Sequence, residues 1–117
     1  MAQRQPGNPP LLAAAAIATN PTSGDVMADS GAVLREGNWE VRLTLSQSAA
    51  AVYQLARRNA ANGADISPFP VAYYGAAGQS SQYAVLVYLK VGERVRVTMG
   101  ANLTGQSQVL LQMEEMG

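Results

Sequence analysis

The stretch QYAVLVYLKVGERVRVTMG, residues 82–100, decides how the chain folds. In its second half Val95, Val97 and Met99 alternate with Arg94, Arg96 and Thr98, the period of a strand with one dry side. Its first half differs. Tyr83, Val85, Val87 and Leu89 point one way and Ala84, Leu86 and Tyr88 the other, so both faces are apolar. A strand dry on two sides needs two things to pack on. In a two-layer β domain one of them is the opposite sheet, and the other is expected to be a second subunit.

Working outward, the same alternation runs through GNWEVRLTL at 37–45, with Trp39, Val41, Leu43 and Leu45 opposite Glu40, Arg42 and Thr44. PVAYYG at 70–75 sets Val71 and Tyr73 against Ala72 and Tyr74, and QSQVLLQMEE from Gln106 reads as a closing strand with Val109, Leu111 and Met113 inward. Nearer the start, LLAAAAIAT and VMADSGAVLR read as a first and a second strand separated by the turn-rich NPTSGD. Residues 46–63 are ambiguous. Their serines suit a helix N-cap and Gly63 a C-cap, while as a strand Ala51, Tyr53 and Leu55 share a face with Arg57 and Asn62-Gly63 becomes a turn. The strand is favoured because strands surround it.

The totals limit the function. A chain of 117 residues is the size of one domain and buries roughly two thirds of the surface exposed by its unfolded form. Eight basic and eight acidic residues give zero formal charge, so no long-range field draws in nucleic acid or anionic lipid. Arg94 and Arg96 are therefore read as the solvent face of a strand, or as cross-strand partners of acids such as Glu40. Charged residues are only 14% of the chain against 48% hydrophobic ones, and a bland, near-neutral surface favours association. No segment approaches the ~20 apolar residues of a membrane-spanning helix.

The chain has neither cysteine nor histidine, which removes disulfides, thiolate nucleophiles, the usual zinc ligands and the commonest general base. Asp25 with Asp29, and Asp65 with Ser67, are the only carboxylate groupings that invite an acid–base or calcium reading. They sit among Gly, Ser and Pro, where aspartate caps turns, so no catalytic residue, metal ligand or cofactor is expected. GAAGQSSQ at 75–82 lacks the Lys-Ser/Thr ending of a P-loop and reads as a surface loop. Arg57-Arg58 is the only adjacent basic pair and falls short of a nucleic-acid stripe, so a salt bridge or intersubunit contact suffices. Tyr73, Tyr74, Tyr83 and Tyr88 could stack on sugar rings, but packing in a core or between subunits is the favoured reading.

Residues 1–10, MAQRQPGNPP, are read as a flexible or extended arm, and 11–117 as a single sandwich domain. Arg4 followed by Leu11 to Ala18, with Ala16-Ile17-Ala18 imitating a cleavage site, faintly resembles a secretory leader, although the run is short and Pro9-Pro10 precede it.

Several of these landmarks together resemble the jelly-roll domains of the tumour necrosis factor and complement-collagen type. A glycine stands two before an aromatic at Gly37 and Trp39, and an L-x-x-G-[DE]-x-V turn is formed by Leu89, Gly92, Glu93 and Val95. Residues 28–66, followed by 92–109, are also similar to small tailed-phage virion proteins that decorate heads or form head fibres. The resemblance covers about residues 25–113, and the closing strand lacks the phenylalanines of the eukaryotic jelly rolls.

The resemblance implies a jelly-roll-like antiparallel β-sandwich assembled as a homotrimer. As a virion protein, such a chain would decorate the outer surface of a phage capsid, with itself and the major capsid protein as partners and neither nucleic acid nor membrane among them. Gln3, Arg4, Gln5 and Asn8 are the expected capsid contacts, and Tyr74, Leu86 and Tyr88 the expected trimer contacts. The alternative is a carbohydrate- or receptor-binding head of a phage fibre or spike.

Overall fold

The structure is a computed structural model that describes residues 11–59, 61, 65, 66 and 71–116. The strands are β1 (Leu11–Thr19), β2 (Val26–Asp29), β3 (Gly37–Gln47), β4 (Ala51–Arg58), β5 (Val71–Gly75), β6 (Ser80–Leu89), β7 (Arg94–Met99) and β8 (Gln106–Glu115). They form two four-stranded sheets in the orders β1-β8-β3-β6 and β2-β7-β4-β5. Every neighbouring pair is antiparallel. Only the β4–β5 hairpin stays within one sheet, and each other connection crosses between sheets, which makes the sandwich a jelly roll. No helix among the described residues is long and apolar enough to cross a membrane.

The alternation expected from the sequence is what builds the core. Trp39, Val41, Leu43 and Leu45 of β3, Val87 and Leu89 of β6, and Val109, Leu111 and Met113 of β8 project inward from the first sheet. Tyr53 and Leu55 of β4 and Val95, Val97 and Met99 of β7 meet them from the second. Full burial of each such side chain is worth about 1.5–3 kcal/mol. The ambiguous segment resolves as β4. Its face Ala51, Tyr53, Leu55 and Arg57 turns inward, and the buried apolar area at those positions overrides the helix propensity of its alanines and arginines. The Asn62-Gly63 turn lies outside the described residues.

The second strand is shorter than VMADSGAVLR implies. It ends at Asp29, whose Oδ1 accepts a hydrogen bond from the Gly31 amide at 2.8 Å while Gly31 turns to a φ of 74°. That left-handed conformation, which glycine adopts freely, breaks the ladder. The chain still follows β7 irregularly, with Ser30 N donating to Val95 O at 2.9 Å and Val33 N to Glu93 O at 2.9 Å. Val33 is thereby driven into the core with no exposed surface.

The Gly-Glu turn has a physical reason for each residue. Leu89 closes β6 fully buried, and Gly92 takes a φ of 92°. Oε1 of Glu93 accepts from the Lys90 amide at 2.9 Å and from Arg57 Nη2 and Nε at 2.8 and 3.1 Å. Burial pushes this carboxyl up, but the Lys90 amide, the Arg57 hydrogen bonds and the two positive charges outweigh it and hold Glu93 below the usual carboxylate range.

Arg94 and Arg96 do lie on the outer face of their sheet, yet their partner is Asp29 of neighbouring β2, at 3.6 and 3.1 Å. The expectation of Glu40 fails because Glu40 belongs to the other sheet, where it meets Arg42 at 3.4 Å.

Candidate functional site

β6 is an edge strand of the first sheet, and its two apolar faces have different fates. Val87 and Leu89 enter the core, with Tyr83 and Val85 half-buried against it. On the outer face, Leu86 is 62% and Tyr88 45% exposed. Opposite them on β3 stand Glu40 and Asn38, and Arg42 next along binds Glu114 of β8 at 2.8 Å. The outer surface is thus an apolar strip on β6 beside a polar, ion-paired band on β3 and β8. Tyr88 donates its hydroxyl hydrogen to Glu36 Oε2, tying the β2–β3 loop to this strip. That hydrogen bond, with burial and the nearby carboxylate charges adding to it, raises the phenol above its ordinary value.

Tyr74 does not join this patch. It is 67% exposed on β5, at the edge of the second sheet, where it pairs with Val52 of β4. β5 and β6 are joined by the short turn at 76–79, so Tyr74 sits near the β6 edge but points off the opposite face of the sandwich. Gln3, Arg4, Gln5 and Asn8 lie outside the described residues. The strand that follows them, β1, begins beside the last residues of β8, with Leu11 opposite Glu114.

The four tyrosines do not make one sugar platform. Tyr73 and Tyr83 contact each other between the edges of the two sheets, with ring centroids 4.8 Å apart and planes tilted by 49°, and Tyr83 donates to Tyr74 O at 2.6 Å. Tyr74 and Tyr88 face away from that pair on opposite sides.

The carboxylate groupings separate in the same way. Asp25 Oδ2 accepts from the Thr22 amide at 2.8 Å as a turn cap, Asp29 holds the β7 arginines, and Asp65 pairs with Arg58 at 3.0 Å. Ser67 lies outside the described residues. The adjacent arginines are both engaged, Arg57 with Glu93 and Arg58 with Asp65. Among the described residues, no group of three or more acidic side chains is placed to hold a metal ion.

A second feature escaped the sequence reading. At the end of the sandwich where β3 leaves and β8 enters, a concavity of about 310 Å³ is lined by Ile17, Ser46, Gln47, Ser48, Gly78, Gln106, Ser107 and Gln108. Behind it, on the inner face of the same strands, lies a buried polar cluster. Gln47 Nε2 donates to the carbonyls of Ala76 and Gln79 at 2.5 and 3.1 Å, and Tyr53 donates to Gln47 Oε1 at 3.2 Å. A phenol has one hydrogen, so in the 2.6 Å contact between Tyr53 and Ser107 the serine is the donor. Burial pushes the Tyr53 phenol up, partly offset by the Ser107 hydrogen bond. The signal was present as SQS at 46–48 and QSQ at 106–108, but the two segments meet only through the β3–β8 pairing.

No family model matches the chain, and no curated protein sequence matches it. Solved structures do. The globular domain of zebrafish complement 1qA protein is 8% identical, with a TM-score of 0.57 over 86% of this chain and 94% of that one. The Eiger TNF of S. frugiperda is 13% identical, with a TM-score of 0.55 over 92% and 94%. The carbohydrate binding module CBM6cm-2 from Cellvibrio mixtus lichenase 5A, solved in complex with cellotriose, is 10% identical, with a TM-score of 0.55 over 86% and 78%. At these identities the likeness is one of fold, and the chain is an all-β jelly-roll sandwich.

Proposed function

We propose that the protein is a structural virion component, a homotrimeric decoration or cement protein bound to the outer surface of a phage capsid. The observation that carries the reading is the pair Leu86 and Tyr88, both exposed on the outer face of the β6 edge strand in a chain of zero net charge. Contiguous apolar surface of this kind marks an association site, and a closed symmetric assembly is the commonest way for a single chain to cover it. The trimer and the capsid come from the resemblance to tumour necrosis factor-type jelly rolls and small phage virion proteins.

In this reading the β6 strip of each copy packs on its neighbour around a threefold axis, a contact whose two sides are different surfaces, so that Tyr74, on the opposite face near the same edge, meets the next copy. The arm residues Gln3, Arg4, Gln5 and Asn8 then reach seams between major capsid protein subunits, and three weak footprints bind as one through multivalency. The candidate carboxylates are each committed to a turn or an ion pair, which favours a structural role over a catalytic one.

The test is the mass of the protein in solution together with capsid binding. A trimer by light scattering, with capsid binding lost when residues 2–10 are deleted and the trimer retained, is the expected result. A monomer at high concentration would discard the assembly, and undiminished capsid binding by the truncated chain would discard the role of the arm.

A further inference from the structure

We infer that the concavity between Ile17, Ser46 and Gln108 is a binding site for a neutral saccharide. The inference does not rest on the capsid reading. At about 310 Å³ the space is at the lower end of small-molecule sites. Among its lining side chains none is charged. An anion would find no cation there, and a cation no carboxylate. What the lining offers is hydroxyl and amide groups, which both donate and accept and therefore match a ligand dense in hydroxyls.

Three features make the surface more than a polar dent. The strand ends behind it are held rigidly, because Gln47, on the inner face of β3, is oriented by two carbonyls and by Tyr53, and both its amide hydrogens are used. The side chains of Ser46 and Gln108, which are cross-strand partners, make no hydrogen bond to any described residue, so they are available to a ligand. Ile17, 70% exposed and opposite Gln108 on β1, supplies the apolar wall that the faces of a sugar ring require.

A smaller concavity of about 190 Å³ follows along β3 and β8 and reaches β6, lined by Thr44, Gln82, Gln112 and Tyr83 and by Arg42, whose charge is already paired with Glu40 and Glu114. The step from Ser46 to Thr44 along β3 is roughly 7 Å, so the occupant is an oligosaccharide running along the strands. The apolar pair Leu86 and Tyr88 lies toward the opposite corner of the same sheet, leaving both surfaces usable at once.

The experiment is titration of the intact protein with maltohexaose, with cellohexaose and with delipidated neutral bacterial O-polysaccharide, heparin serving as the anionic control. At least one neutral probe is expected to bind and heparin not. The double variant Ser46→Ala with Gln108→Ala is expected to weaken that binding by about tenfold or more, since two hydrogen bonds are removed. Leu86→Glu should leave it unchanged, which separates this site from the assembly surface. Both sites of substitution in the double variant lie on the outer face, and an unchanged unfolding midpoint will show that its fold is intact. Binding of heparin alone, binding that survives the double variant, or no binding of any neutral probe at millimolar concentration overturns the proposal.

Discussion

The hydroxyl of Tyr53 on β4 lies 2.6 Å from that of Ser107 on β8, so a hydrogen bond joins the two sheets inside the core, where both residues are fully buried. The same phenol holds Gln47 at 3.2 Å, and Gln47 holds the β5–β6 turn. Tyr53→Phe keeps the ring and removes the oxygen, leaving Gln47 Oε1 and the Ser107 hydroxyl without partners. The expected loss is about 1–3 kcal/mol, read by denaturant unfolding. A loss below a few tenths would mean that the cluster contributes nothing.

Gly75 closes β5 against this cluster. A Cβ at that position would run into the Gln47 side-chain amide. Gly75→Ala is therefore expected to displace Gln47 from its two carbonyls and cost about 1–3 kcal/mol, whereas Gly78→Ala meets open space and is disfavoured only by the strain of an alanine at a φ of 68°. Unfolding midpoints of the two variants, compared side by side, check the difference.

Glu93 predicts an acid limb in stability. Its carboxyl is held below the usual carboxylate range in the folded chain, so the folded state prefers the ionised form. That contribution is present above the unfolded value, about 4.3, and is lost as pH falls through the lower folded value. Glu93→Gln should cost roughly 1.5–3 kcal/mol at neutral pH, the range for hydrogen bonds to charged groups. The gap between wild type and variant should narrow as pH falls below about 4. A constant gap from pH 7 to pH 3 would show that the carboxylate charge plays no part.

Leu86→Glu places a charge in the middle of the exposed β6 strip without touching the core, since Leu86 is 62% exposed. The single chain is expected to stay folded, with its stability changed by no more than about 0.5 kcal/mol, while the assembly falls apart by light scattering. An assembly that persists would move the contact away from β6.

Much of this fold is legible along the chain because a strand's side-chain period is local. The alternation in β3, β6, β7 and β8 told which residues enter the core, and the outward set Ala84, Leu86 and Tyr88 is the one that stands exposed. The Gly92-Glu93 turn was equally legible, since Gly92 supplies the backbone turn and Glu93 the capping carboxylate within four residues of Leu89. β2 was overread because the left-handed Gly31 breaks the ladder after Asp29, whereas β4 was ambiguous because its helix-favouring residues fit both periods.

What the sequence by itself determined, then, is the strand content, the inward and outward faces and the neutral surface. Which groups meet across strands was decided only by the tertiary structure. Tyr53 and Ser107 are 54 residues apart. Asp29 reaches Arg96 because β2 lies beside β7, and Ser46 faces Gln108 because β3 lies beside β8. The physical reason is that jelly-roll neighbours are set by closing long loops between distant segments, and the buried core selects that pairing as a whole. No short window of the chain carries the order of strands in a sheet, and the polar cluster and the concavity above it exist only once that order is set.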